Sequence, residues 1–292
     1  MRPRLDVWFT EEHAPGLRFS MRVTHEIVRR RSEFQEIAVL ETQEFGKVLI
    51  LDGYLMVTEK DEFIYHEMIV HVPLAVHPDI RRVLVVGGGD GGAVRELARY
   101  DTIEEIDLVE IDPDVIDVSE AWLPQLSEKL RDPRVTIHFA DGVRFMRQVQ
   151  RPYDLIIIDS TDPFGPGEGL FTREFYGSCH AALTEDGILI NQHESLFYEE
   201  YRAAMRRVHD RLSQLFPVAR VYQAHIPTYP SGHWLFGFSS KRFDPLLDLD
   251  AEGWLSRGIR TNYYNPDLHR GAFALPNYIR RELEGGRRTR LK

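Results

Sequence analysis

The sequence predicts an α/β protein in which a small antiparallel β unit precedes a doubly wound sheet, and two patterns predict it. From residue 83 onward, apolar runs alternate with helix-like segments: VLVV then AVRELARY, IDLVEID then DVIDVSEAWL, VTIHF then VRFMRQV, LIIID then TREFYGSCHAAL, and GILINQ then YEEYRAAMRRVHDRLSQLF. The strand runs are continuously apolar, the signature of parallel strands covered by helices on both faces. Residues 17–58 instead hold short β-rich runs (LRFSMRV, FQEIAVLET, KVLIL and YLMVT) separated by EFG and by the turn signal LDG, which predicts antiparallel strands. After the alternating region, VARVYQAHIP and HWLFGFSSK form a closing hairpin around TYPSG. The change of pattern sets the expected boundary: a β domain over 1–62 and a second domain over 63–292.

Composition narrows the function classes. A formal net charge of −10 over 292 residues disfavours nucleic acid, whose binding needs basic surface. No stretch approaches the roughly 18 apolar residues of a membrane span, and MRPRLDVWFTEEH lacks the apolar core of a signal peptide, so a cytoplasmic protein without membrane partners is expected. The single cysteine, Cys179, sits in a helical pattern and reads as a small buried residue. The terminal GGRRTRLK reads as a solvated, irregular end. HEMIVH superficially suggests a zinc site, but its histidines are five residues apart and diverge by about 140° on a helix, so no metal is expected and His71 is a packed residue.

The chemistry lies in the loops that follow the strands, where open α/β sheets bind ligands. Gly87, Gly89 and Gly92 form G-x-G-x-x-G between a strand and a helix, but the loop carries a carboxylate, Asp90. Glu110 ends the second strand, Asp141 follows the third and Asp159 ends the fourth, so successive strands deliver four carboxylates to one rim. Glu110 lies at about the spacing of the acid that accepts hydrogen bonds from a ribose diol, some 20 residues past the loop. Asp141 is placed to accept from the amine of a base, with Gly142 beside it, so a nucleoside is expected. A pyrophosphate would meet Asp90 at contact distance; even at an effective dielectric of about 20, unit charges about 4 Å apart repel by about 4 kcal/mol. Asp90 therefore disfavours NAD and favours a nucleoside with a cationic tail.

These residues sit in motifs that resemble the polyamine aminopropyltransferases: LDG…TEKDEFIYHEM (51–68), GGGDGG (87–92), VEID (109–112), ADG (140–142), DSTDPFGPGEGLF (159–171) and IPTYPSG (226–232). The resemblance runs from about residue 17 to 280. It implies a methyltransferase-like α/β domain behind the β domain, a homodimer or homotetramer, and transfer of the aminopropyl group of decarboxylated S-adenosylmethionine to putrescine. That donor is a co-substrate, and no cofactor is implied. Carried over by position, Gln35, Glu110, Asp141, Gly142 and Pro166 would hold the methylthioadenosine part. His66 and Asp90 would face the aminopropyl and amine region, with Tyr65, Ser160, Thr161, Asp162, Gln192 and Tyr229 along the diamine, and Asp159 would be the proton acceptor. Met56 stands where many members have glutamine. Trp234 reads as a core aromatic. Other acceptors (agmatine, cadaverine, spermidine) and N-methylation of an amine by intact S-adenosylmethionine remain alternatives on the same fold.

The residues support the chemistry independently of the resemblance. A sulfonium activates its neighbouring methylene for direct displacement, but an alkylammonium with a pKa near 10.4 has no lone pair at pH 7 and must lose a proton to a base. Asp159 at a strand tip can be that base, provided a hydrophobic surround disfavours the charged amine, Asp162 can hold the amine chain, and the Pro- and Gly-rich segment 163–171 reads as a lid. Activity is expected to fall below about pH 7 as the amine becomes harder to deprotonate.

Overall fold

A computed structural model describes residues 6–160 and 165–288. The N-terminal sheet has five antiparallel strands in sequential order: β1 (Val7–Ala14), β2 (Leu17–Arg31), β3 (Glu36–Thr42), β4 (Gly46–Leu51) and β5 (Tyr54–Thr58). Sequence reading began this unit at residue 17 and missed β1, because VWFTEEHA is polar and mostly exposed until Glu11 and His13 turn inward. Strand β2 also runs eight residues past LRFSMRV, through a stretch in which only Ile27, Val28 and alternate neighbours are half-buried.

Helix α1 (Glu62–Leu74) leads into a seven-stranded sheet. Its strands are β6 (Arg82–Gly87), β7 (Glu105–Glu110), β8 (Val135–Phe139), β9 (Tyr153–Asp159), β10 (Leu183–Gln192), β11 (Val218–His225) and β12 (His233–Ser240). The spatial order is β11-β12-β10-β9-β6-β7-β8, with β10 to β8 parallel and the β11/β12 hairpin antiparallel. The helices between strands are α2 (Gly92–Leu97), α3 (Pro113–Trp122), α4 (Pro124–Ser127), α5 (Gly142–Met146), α6 (Arg173–Ala182) and α7 (Glu199–Leu215). A C-terminal group, α8 (Ala251–Ser256), α9 (Pro266–Ala272) and α10 (Asn277–Arg288), was not read from sequence. Helix α10 continues through Gly285 and Gly286, so the irregular tail expected from Gly285 does not begin there.

The continuous apolar runs divide by parity. Val83, Val85, Leu155 and Ile157 join the cluster under α1 and α2, whereas Leu84, Val86, Ile156 and Ile158 join the cluster under α6 and α7. Successive strand residues face opposite sides, so a strand with helices on both must be apolar throughout. Each fully buried side chain of this kind contributes about 1.5–3 kcal/mol of transfer free energy. A third cluster, including Ile37, Val39, Leu49, Val115 and Val118, seats one face of the N-terminal sheet on α3 and α4. The N-terminal sheet thereby roofs the carboxyl ends of β6, β7 and β9.

Candidate active site

Strand order reverses between β6 and β9, and the crevice there is the usual ligand site of such a sheet. One pocket opens there, lined among others by Gln35, Asp90, Glu110, Asp141, Asp159 and Tyr229. Tyr65, His66, Gly142, Ser160 and Gln192 line it too. Thr161, Asp162 and the side chain of Pro166 lie outside the described residues. In spatial order, β9, β6, β7 and β8 bring Asp159, Asp90, Glu110 and Asp141 to the rim, as their places in the sequence predict.

The side of the pocket around Gln35, Glu110 and Asp141 is built from acids that accept mainly from neutral donors. Asp112 caps α3 through Asp114 N–H at 3.0 Å, and its other oxygen accepts from Gln35 Nε2 at 2.9 Å and Ser32 Oγ at 2.7 Å. This bond turns the Gln35 amide so that its oxygen is the atom left for a ligand. Glu110 is buried and accepts from Asp112 N–H at 3.0 Å. Burial pushes its carboxyl up to about 7, against the pull of backbone N–H groups. Asp141 caps α5, accepting from Val143 N–H at 2.7 Å through Oδ1, while Oδ2 lies 3.8 Å from Arg144 Nε.

The other side sets Asp159 and Asp90 against Tyr65 and His66 of α1. Tyr65 donates its hydroxyl to Asp159 Oδ1 at 2.7 Å. Burial first, then the charge of Asp90, pushes the Asp159 carboxyl up to about 6, with His66 and the Tyr65 bond opposing. His66 lies between Glu62 Oε2 at 2.6 Å and Asp90 Oδ1 at 3.4 Å. Burial would discharge the ring, but Asp90 and Glu62 outweigh it and raise His66 to about 10. His66 is therefore an imidazolium, and it holds Asp90 below the usual carboxylate range although burial acts the other way.

The glycine loop makes room for neighbouring parts of the chain: a Cβ on Gly92 would lie 2.2 Å from the His66 ring. At Gly87, with φ +82°, a Cβ would meet the Asp159 carbonyl. The loop is bare so that the histidine and β9 can pack on it.

Gln192 lines the pocket, but both ends of its amide engage Glu194, through Glu194 Oε1 at 2.9 Å and Glu194 N–H at 3.1 Å. Tyr229 donates to the Met56 carbonyl at 2.6 Å, so its ring rather than its hydroxyl is what it offers the cavity. Trp234 is buried and packs on Tyr229, with ring centroids 4.7 Å apart, and also lines the pocket. Sequence reading missed Glu62, Glu11 and Asp61, which line the pocket as well. Asp61 accepts from Thr228 N–H and Oγ1 at 3.1 and 2.8 Å, anchoring the Tyr229 turn to α1. Each has a partner that is remote in the chain, Arg95 for Glu62, Leu55 for Glu11 and Thr228 for Asp61, and the local sequence does not mark those contacts.

Three buried polar atoms of pocket residues have no hydrogen-bond partner among the described residues: Asp159 Oδ2, Ser160 Oγ and Trp234 Nε1. Two of them are acceptors, suited to an ammonium. Among the described residues no group of three or more His, Cys, Asp or Glu is arranged to hold a metal ion, and no helix is long and apolar enough to cross a membrane.

Residues 62–250 match the spermine/spermidine synthase domain, and residues 7–59 match the spermidine synthase tetramerisation domain. The chain belongs to the spermine/spermidine synthase family. Polyamine aminopropyltransferases of Clostridium perfringens and Alkaliphilus oremlandii are 62% and 59% identical over 280 residues, 96% of this chain and 99% of each relative. A spermidine synthase solved with the transition state analogue AdoDATO superposes with a TM-score of 0.93 at 41% identity, covering 97% of this chain and 96% of that one. The spermidine synthase of Thermotoga maritima gives 0.91 at 40% identity, with the same coverage. The protein is thus a polyamine aminopropyltransferase, with the Rossmann-like sheet and small N-terminal sheet of its family.

Proposed function

We propose that this aminopropyltransferase is a spermidine synthase, moving the aminopropyl group of decarboxylated S-adenosylmethionine to putrescine with Asp159 as the proton acceptor. The observation that carries this reading is the environment of Asp159: one oxygen held by Tyr65 at 2.7 Å, the other buried without a partner among the described residues. A carboxyl raised to about 6 is a stronger base than an ordinary aspartate yet still ionised at neutral pH.

In the reaction, Asp159 takes a proton from the putrescine ammonium, and the lone pair so freed attacks the methylene next to the sulfonium, the C–N bond forming as the C–S bond breaks. The C–S electron pair returns to sulfur, leaving neutral methylthioadenosine and a secondary ammonium product. Gln35, Glu110, Asp141 and Gly142 hold the nucleoside, with Pro166 assigned there by resemblance. Asp90 holds the propylammonium tail with His66 behind it, and Tyr65, Ser160, Gln192 and Tyr229 flank the diamine, Thr161 and Asp162 being assigned there by resemblance. No cofactor takes part. AdoDATO bound to the similar spermidine synthase supports taking the corresponding pocket as the place of the transition state. The match to a tetramerisation domain, with Val7, Trp8 and Leu17 exposed on the N-terminal sheet, supports a homodimer or homotetramer. A cytoplasmic enzyme, divided at residue 62 into a β domain and a catalytic domain, fits this reading.

The test offers putrescine, cadaverine, agmatine and spermidine with decarboxylated or intact S-adenosylmethionine and identifies products by mass spectrometry. Spermidine and methylthioadenosine as the fastest products are expected. Preference for another acceptor would overturn the putrescine assignment, and methylated amine from the intact donor alone would overturn the chemistry.

A further inference from the structure

Asp90 lies in a chain of charges that crosses from the pocket into the interior. Asp90 Oδ1 accepts from Gly92 N–H at 2.7 Å and lies 3.4 Å from His66 Nε2. His66 Nδ1 is 2.6 Å from Glu62 Oε2. Glu62 receives both ends of the Arg95 guanidinium, at 2.8 and 3.0 Å, and Arg95 Nε continues to Glu96 at 3.0 Å. His66, Glu62 and Glu96 are all buried. Both ring nitrogens of His66 face carboxylates, and only an imidazolium, with two N–H donors, satisfies that arrangement.

We propose that Glu62, braced by Arg95, is a positioning residue of the transfer reaction: through the His66 ring it pins Asp90 Oδ1, so that Oδ2 is the oxygen presented to the propylammonium tail of the donor. The inference rests on the reading that Asp90 takes that tail. Its physical basis is the number of donors committed to one oxygen. With Gly92 N–H and His66 on Oδ1, rotation of the carboxylate would break two bonds, one of them charge-assisted. Without the Glu62 charge, the ring loses the acceptor that keeps both its protons. A neutral ring can offer Asp90 no more than an uncharged Nε2–H. The charge-assisted pin is then lost.

The charged groups around His66 are Glu62 on its own helix, Asp90 from the loop after β6, Asp159 from β9 and Arg95 from α2, with the Tyr65 ring against it at 5.4 Å. The three acids favour the imidazolium and Arg95 opposes it. Removing Glu62 and removing Arg95 must therefore act on the ring in opposite directions, which separates positioning from general damage.

The test uses the intact enzyme with ¹³C-labelled histidine, the His66 signal being assigned by its loss in His66→Gln. Alongside, donor KM and kcat are measured from about pH 6 to 9. In Glu62→Gln, His66 should titrate within roughly one unit of an ordinary histidine, and the donor KM relative to wild type should rise about tenfold as pH climbs through that range, with kcat changing far less. In Arg95→Gln, His66 should stay charged up to pH 9 while donor KM rises several-fold at every pH. His66 remaining charged to pH 9 in Glu62→Gln would overturn the proposal, and so would a KM ratio that is flat with pH. If Glu62→Gln does not fold, Arg95→Gln decides alone, and a donor KM within about twofold of wild type would sink the idea. A wild-type enzyme that ignores the decarboxylated donor would instead overturn the functional reading, while the histidine titration still reports on the pin.

Discussion

The two halves of the pocket use the same residue type, an acid at a strand tip, in opposite ways. On one side, Glu110 and Asp141 are held by backbone N–H groups of the chain that follows them. On the other, Asp90 faces the His66 ring, and Asp159 accepts from a phenol and keeps an oxygen without a partner among the described residues. On the proposed reading, the Glu110 half meets a neutral ribose and base and needs acceptors of fixed direction. The Asp159 half would then need charge, because its proposed ligands are cations and one of them must lose a proton. What an acid does here is set by its partners.

If the distinction holds, amide isosteres should be severe on one side and mild on the other. The largest effect belongs to Asp159→Asn, which keeps the Tyr65 bond but cannot take a proton. Its kcat should fall by about 10² to 10⁴, with donor binding measured by calorimetry retained. The same group sets the acid limb of wild-type activity: raised to about 6, Asp159 is increasingly protonated below that pH, so kcat/KM should fall as pH drops through 6. A profile flat to pH 5 would remove Asp159 as the base.

Next in size is Asp90→Asn. Its loss of the charge facing the donor tail should raise donor KM by about 10- to 100-fold and reduce the preference for decarboxylated over intact S-adenosylmethionine in a competition assay. Gly92→Ala asks whether the bare loop serves the histidine. A methyl group 2.2 Å from the His66 ring must displace it, so donor KM should rise about tenfold and urea denaturation should show a loss of about 1–3 kcal/mol. The smallest change is expected at Glu110→Gln. With its carboxyl already pushed up to about 7, removing the charge should cost a few-fold in donor KM and nothing in kcat. A large kcat effect there would erase the contrast between the halves.

The sheet was legible because its strands are buried on both faces, which leaves an apolar run that no other local structure explains as well. Strand β1 was not, since one side of VWFTEEHA meets solvent and its inward residues are Glu11 and His13. The short helices α8 and α9 carry too few apolar positions to show a period. The rim acids were legible from their places after strands. Their charge partners were not: Glu62 and Arg95 meet across a separation of 33 residues that only the packing of α1 on α2 closes. The glycines were legible, but that a side chain from α1 needs the space at Gly92 was not, because that side chain is 26 residues away in sequence.

Helix α1 carries Glu62, Tyr65 and His66, which reach Arg95, Asp159 and Asp90 respectively. Adjacent helical residues diverge by about 100°, so Tyr65 and His66 address the two sides of the coming bond from one rigid rod. Glu67 locks the rod by accepting from three consecutive N–H groups, Asn262 to Tyr264, at 2.7–2.8 Å. On the proposed reading, nucleophile and leaving group would be aligned by one rigid part rather than by two loops. A slip of the rod would then misalign both sides together, and a C-terminal segment remote from the pocket helps to hold it in place.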